Sequence, residues 1–150
     1  MAKRSSRRYP KRPIVGVGAL ILRRNSILLV QRGREPLKGR WSIPGGAMET
    51  GERVSDGLRR EVREETGLEI TPGPLVEIFE RILLDGRGRA EYHYVLLDYL
   101  CKVTGGTLRP GDDASQVAWA PRRRLESYAL TEGTLAVIEK AFALAGRRGR

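Results

Sequence analysis

Apolar positions fall into blocks whose spacing changes along the chain. Residues 14–22, IVGVGALIL, form a nearly continuous apolar run, as expected of a strand covered on both faces. Arg23 and Arg24 close that run, Arg24-Asn25 marks a turn, and residues 26–32, SILLVQR, read as the second strand of a hairpin. Residues 33–40 form a polar loop, and WSIP at 41–44 is a short strand leading into Gly45-Gly46. The spacing predicts a helix over 53–66, stopped by Gly67. Two long strands follow at 74–85 and 91–103, joined by a glycine-containing turn, then a loop at 104–113 and a short strand around 116–120. A final helix is predicted over 131–145, with Leu135, Ile138, Ala141, Phe142 and Leu144 as its apolar contacts. The order of strands, helix, strands and helix defines an α+β domain.

The helix at 53–66 carries an anomaly. With Leu58 at zero on a wheel of about 100° per residue, Val54 lies at about −40° and Val62 at about +40°, which sets the core-facing stripe. Glu65 falls at about −20°, Glu61 at about −60° and Glu64 at about −120°. A carboxylate inside an apolar stripe costs several kcal/mol unless it is paired or binds a metal. Three carboxylates at i, i+3 and i+4 converge on one side, and an oxygen-only donor set suits Mg²⁺ or Mn²⁺. The competing reading is a charged helix laced with Glu–Arg pairs, since Arg59, Arg60 and Arg63 lie close by.

Charge narrows the field. The 150 residues hold 28 Lys and Arg against 18 Asp and Glu, a net charge of +10. Six of the basic residues lie in residues 1–13 and three in 147–150. Removing these nine from the 28 leaves 19 basic against 18 acidic residues in between, so the body is close to neutral. The expected organisation is a basic disordered tail at 1–13, a domain at 14–146 and a basic tail at 147–150. The tails would aid solubility and weak association with polyanions, including RNA, and residues 1–12, which precede the first strand, would be dispensable for the chemistry of the domain. The single cysteine, Cys101, excludes an intrachain disulfide and a Cys-based zinc site, and the single histidine, His93, excludes a multi-histidine metal site. Cysteine usage fits a reducing cytoplasm. The nine-residue apolar run is too short to cross a bilayer as a helix, so no membrane partner is expected.

The segment from Gly46 to Leu68 resembles the Nudix box, the signature of the Nudix hydrolase superfamily. Its pattern is Gly, five residues, Glu, seven residues, Arg-Glu, an aliphatic, any residue, Glu-Glu, any residue, Gly, an aliphatic. Gly46, Glu52, Arg60, Glu61, Val62, Glu64, Glu65, Gly67 and Leu68 fill it without departure. WSIPGG before the box and VAWAP at 117–121 extend the similarity over residues 13–145. The resemblance implies an α/β/α sandwich with a mixed central sheet. It also implies hydrolysis of a nucleoside diphosphate linked to another moiety, X, with water attacking phosphorus.

The same resemblance assigns roles. Glu61 and Glu65 match the box's metal-binding carboxylates, for Mg²⁺ or substituting Mn²⁺, with Glu64 as a further ligand or general base. Glu52 would reach the metal through water or pair with Arg60, which would orient a glutamate by bidentate contact. Gly45 and Gly46 would let the backbone approach phosphate. Asp112 and Asp113 are candidates for a base or ligand from a distant loop, and Arg32 for contact with substrate phosphate or base. Trp41, Tyr92 and Tyr94 are candidates to stack on a base.

ADP-ribose or a related nucleoside diphosphate sugar is the first substrate class suggested. Leu83, Leu84 and Asp85 stand where many ADP-ribose pyrophosphatases carry a proline. The alternatives are an oxidised dNTP, the 5′ pyrophosphate of RNA, and a non-catalytic binding protein of the same fold, which the intact box disfavours. Homodimerisation is a further expectation from the resemblance.

Overall fold

A computed structural model describes residues 7–111 and 113–148. Seven strands and two helices follow in the order β1 (Ile14–Arg23), β2 (Ser26–Arg32), β3 (Trp41–Ser42), β4 (Gly45–Ala47), α1 (Val54–Thr66), β5 (Leu68–Leu84), β6 (Ala90–Gly106), β7 (Ala114–Pro121) and α2 (Thr134–Arg148). A 3-10 helix, Arg122–Ser127, links β7 to α2.

The sheet runs β3-β2-β1-β6-β5, with β4 also pairing β1 and β7 also pairing β2. The β1–β6 pair is parallel, from Ile14 beside Tyr94 to Ile21 beside Cys101, and the remaining pairs are antiparallel. This mixed sheet explains why β1 is a continuous apolar run. Alternate side chains serve two cores: Val17, Ala19 and Ile21 pack with Leu58 and Val62 of α1, whereas Leu20 packs with Val137, Ile138, Ala141 and Phe142 of α2. Strand β2 repeats the device, with Leu28 in the first cluster and Ile27 and Leu29 in the second. The outcome is an α/β/α sandwich.

The structure revises several element boundaries. β5 begins at Leu68 rather than 74, because Thr71-Pro72-Gly73-Pro74, which resembles a break, stays in the ladder through register shifts between Pro72 and Glu77. A bulge tolerates a residue without an N–H donor. Gly45–Ala47 is a strand rather than a loop, and α2 starts at Thr134 and runs through Arg147 and Arg148. The β1–β2 turn lies where expected, with Arg24 at φ 57°. Of segment 1–13, residues 1–6 lie outside the described residues; the Tyr9 N–H donates to the Glu91 carbonyl at 2.7 Å, and Arg8 pairs with Glu91 at 2.6 Å. No helix among the described residues is long and apolar enough to cross a membrane.

Leu58 is fully buried and seats α1 on β1. Truncating Leu58→Ala is expected to cost about 3 kcal/mol of unfolding free energy, read as a lower urea midpoint.

Candidate active site

Three local devices bring α1's carboxylates to the sheet. Gly67 ends the helix in a left-handed turn at φ 75°, its N–H donating to the Arg63 carbonyl at 2.9 Å. The carbonyls of Thr66 and Glu65 are satisfied from the segment after β6, where the Arg109 and Gly111 N–H groups donate to them at 2.9 and 2.8 Å. The third device is Gly46, on which a Cβ would collide with the Glu61 carboxylate. Glu61 is thereby only 4% exposed and lies against the β4 backbone.

Arg60 neutralises one side of this acidic cluster. It grips Glu52 bidentately, with Nε to Oε2 at 3.0 Å and Nη2 to Oε1 at 2.6 Å. Its Nη1 donates to Glu61 at 2.9 Å and Glu64 at 3.3 Å. The hydrogen bonds hold the Glu52 carboxyl below its usual range and raise the Arg60 guanidinium above its own. Arg60 thus binds glutamates, as expected, and Glu52 takes the pairing role.

On the other side opens a cleft of about 320 Å³. Glu61 and Glu65 lie on its wall together with Gly45, Gly46, Arg32 and Asp113. Burial pushes the Glu65 carboxyl well above the usual range, and the Glu61 charge adds to this, while Arg32 and the Gly45 backbone oppose it. Asp113 arrives because the loop that caps α1 runs on into β7. Its carbonyl accepts from the Gly33 N–H at 2.8 Å, and its carboxylate pairs with Arg34 at 2.9 Å. Arg32 is steadied by donating from Nε to the Pro36 carbonyl at 2.7 Å.

Not every expected residue gathers here. Glu64 is not on the cleft wall and shares Arg60 Nη1 with Glu61, and Glu52 and Arg60 also lie outside the cleft lining. Among the described residues no three such side chains are arranged to hold one ion. Asp112 lies outside the described residues. Tyr92 and Tyr94 line the cleft, whereas Trp41 packs in the α2-side core, edge-on to Tyr128 at 5.1 Å. Arg7, Arg8, Arg34 and Pro36, which the sequence does not single out, also line the cleft. Nothing in local spacing places them there.

The cleft continues into an inner cavity of about 100 Å³ that shares Arg32, Ile43, Gly45, Gly46 and Tyr94 and adds Gly18, Ser42, Arg81, Asp98 and Thr131. Asp98, on β6, is 4% exposed, and Gly18 makes room for it, since a Cβ there would collide with its Oδ1 and lie 2.8 Å from Ile43 Cδ1. Burial pushes the Asp98 carboxyl up to about 7, opposed by the charge of Arg81 and aided by that of Glu77. An alternating strand pattern marks Asp98 only as a polar residue in an apolar run, so sequence reading passes over it.

A NUDIX domain model matches residues 12–140. The ADP-ribose pyrophosphatase of Methanocaldococcus jannaschii is 35% identical over 78% of this chain and 67% of its own length. The human 8-oxo-dGDP phosphatase NUDT18 is 31% identical over 85% of this chain, which spans only 38% of that longer protein. Among solved structures, a MutT NUDIX hydrolase from Burkholderia pseudomallei superposes with a TM-score of 0.76 at 31% identity, covering 87% of this chain and 98% of that one. The chain belongs to the NUDIX family and is a pyrophosphohydrolase by class. Members of this family work with divalent metal ions, typically Mg²⁺.

Asp98 yields a test of site electrostatics. A carboxyl with a raised folded-state value binds its proton more tightly folded than unfolded, so stability falls as pH rises from about 4 to about 7 and is level above that. Glu65 acts in the same direction. Asp98→Asn is expected to flatten this decline and to gain on the parent protein by a few kcal/mol near pH 8, read by urea unfolding across pH.

Proposed function

We propose that this protein hydrolyses the pyrophosphate linkage of a nucleoside diphosphate joined to a second moiety, with ADP-ribose or a related nucleoside diphosphate sugar as the first substrate class. The observation that carries the reading is the pairing of opposites within one cleft. Its lining holds two crowded carboxylates, Glu61 and Glu65, together with Arg32 and Arg34. A diphosphate with a divalent cation satisfies both: guanidinium groups bind phosphate oxygens, and the cation relieves the like-charge pair. The archaeal relative's name supports the sugar-nucleotide class.

The donor chemistry suits Mg²⁺, with Mn²⁺ as a substitute. Glu61 and Glu65 would hold the ion, with Glu64 as a further ligand. When bound, such an ion neutralises pyrophosphate charge and favours attack of water on phosphorus. Gly45 and Gly46 let the backbone line the phosphate site, and Arg32 orients the phosphates. Either Glu64 or Asp113, which lies on the cleft wall, would accept a proton from the attacking water. Arg60 and Glu52 act by positioning Glu61.

The inner cavity favours a second reading for the substrate. A buried carboxyl beside a guanidinium offers acceptor and donor to one hydrogen-bonding ring edge, and the human relative's name points to an oxidised guanine nucleotide. A Mg²⁺-dependent comparison of ADP-ribose, other nucleoside diphosphate sugars, oxidised and ordinary dNTPs and 5′-triphosphate RNA, with products identified, separates these substrates.

Glu65→Gln is expected to lower kcat at least 100-fold with an unchanged far-ultraviolet circular dichroism spectrum, because it removes a charge from the cation site without changing shape. Glu64→Gln is expected to cost one to two orders of magnitude if Glu64 swings to the cation during turnover. Full activity in either variant removes that residue from the mechanism.

A further inference from the structure

The segment before β1 is built into the cleft. Tyr9 turns the chain at φ 52°, a left-handed conformation that a bulky residue adopts only where its surroundings hold it. What holds it is the tip of the β5–β6 hairpin. The Tyr9 N–H donates to the Glu91 carbonyl at 2.7 Å, and its hydroxyl donates to Asp85 at 2.8 Å. The Arg89 guanidinium lies over its ring at 5.1 Å and also pairs with Asp85 at 2.9 Å. Arg8 lies over the same ring and pairs with Glu91. Asp85 also accepts from the Arg87 and Arg89 backbone N–H groups, so its carboxyl stays ionised as an anchor. Two residues before the anchored Tyr9, Arg7 lies on the walls of both the cleft and the inner cavity.

We propose that this arm is part of the substrate site: Tyr9 docks on Asp85 and Glu91 so that Arg7 supplies a guanidinium to the phosphate oxygens of the bound nucleotide. The proposal rests on the cleft being the diphosphate site, and it replaces the expectation that residues 1–12 are dispensable. The chemistry is that of a fixed fork donor on a tetrahedral anion, joined to Arg32 and Arg34 on the same cleft. It also divides the basic residues of the segment into two kinds. Arg7 acts at a defined place, and Arg8 is spent on the anchor.

The test is binding of inorganic pyrophosphate and of ADP-ribose to the metal-free full chain by calorimetry, with KM and kcat measured alongside on the best substrate. Arg7→Met is expected to weaken pyrophosphate binding and raise KM about tenfold while leaving kcat within about twofold. Tyr9→Ala, which releases the anchor but keeps both arginines, is expected to reproduce most of that loss. Removing residues 1–6 is expected to change neither, whereas removing residues 1–9 is expected to match Arg7→Met. Wild-type pyrophosphate affinity in Arg7→Met overturns the proposal. An equal loss on removing residues 1–6 also overturns it, by assigning the effect to diffuse tail charge. If the full chain hydrolyses none of the candidate substrates, the diphosphate reading fails, while the pyrophosphate titration still decides the role of Arg7.

Discussion

The carboxylate of Glu61 is pressed against the backbone of Gly46, and the rest of the site depends on that contact. It requires the absence of a Cβ on Gly46, a helix seated by Leu58 and Val62, and a countercharge so that an almost fully buried anion is tolerated. Arg60 is that countercharge on one side. On the cleft side Glu65 adds a second carboxylate, so the two acids crowd each other there and the energetic tension faces the cleft. The Nudix box is therefore one balanced arrangement: an apolar stripe to place the helix, an arginine to hold the rear, and acids held at the front along the cleft.

The sheet serves the site by separating its two faces. Because β1 and β2 send alternate side chains to α1 and α2, each face has its own core, and the glycines in β1 open space on the α2 side without weakening the α1 side. Gly18 is the clear case, since it admits Asp98 into an inner cavity that runs on from the cleft. The same loop that satisfies the carbonyls at the end of α1 carries Asp113 to the cleft, so helix capping and site assembly share one set of hydrogen bonds.

Much of the fold was legible in one dimension because its signals are local. The β1–β2 turn at Arg24-Asn25, the stop at Gly67 and the amphipathic stripe of α1 each follow from side-chain periodicity or from a residue that a backbone conformation demands. Local signals failed where partner strands overrode them. Pro72-Gly73-Pro74 resembles a break, yet β6 holds it in the ladder through bulges, and Gly45–Ala47 becomes a strand only because β1 offers an edge. The wheel placed Glu61, Glu64 and Glu65 on one side but is blind to rotamers: Glu61 and Glu64 share Arg60, and only Glu61 and Glu65 line the cleft.

The sequence by itself determined the family, the two-core pattern of the central strands and the acids that carry charge on α1, because spacing along a helix or strand is a property of the chain alone. Tertiary structure decided that Glu61 and Glu65 line the cleft and that Glu61 and Glu64 share Arg60. It also brought Asp113, Arg34 and Arg7 to the cleft and Asp98 to the cavity that adjoins it, from four distant segments. The reason is physical: burial, like-charge crowding and the closing of a capping loop arise only when separate segments occupy the same space, and no periodicity within any one segment encodes them.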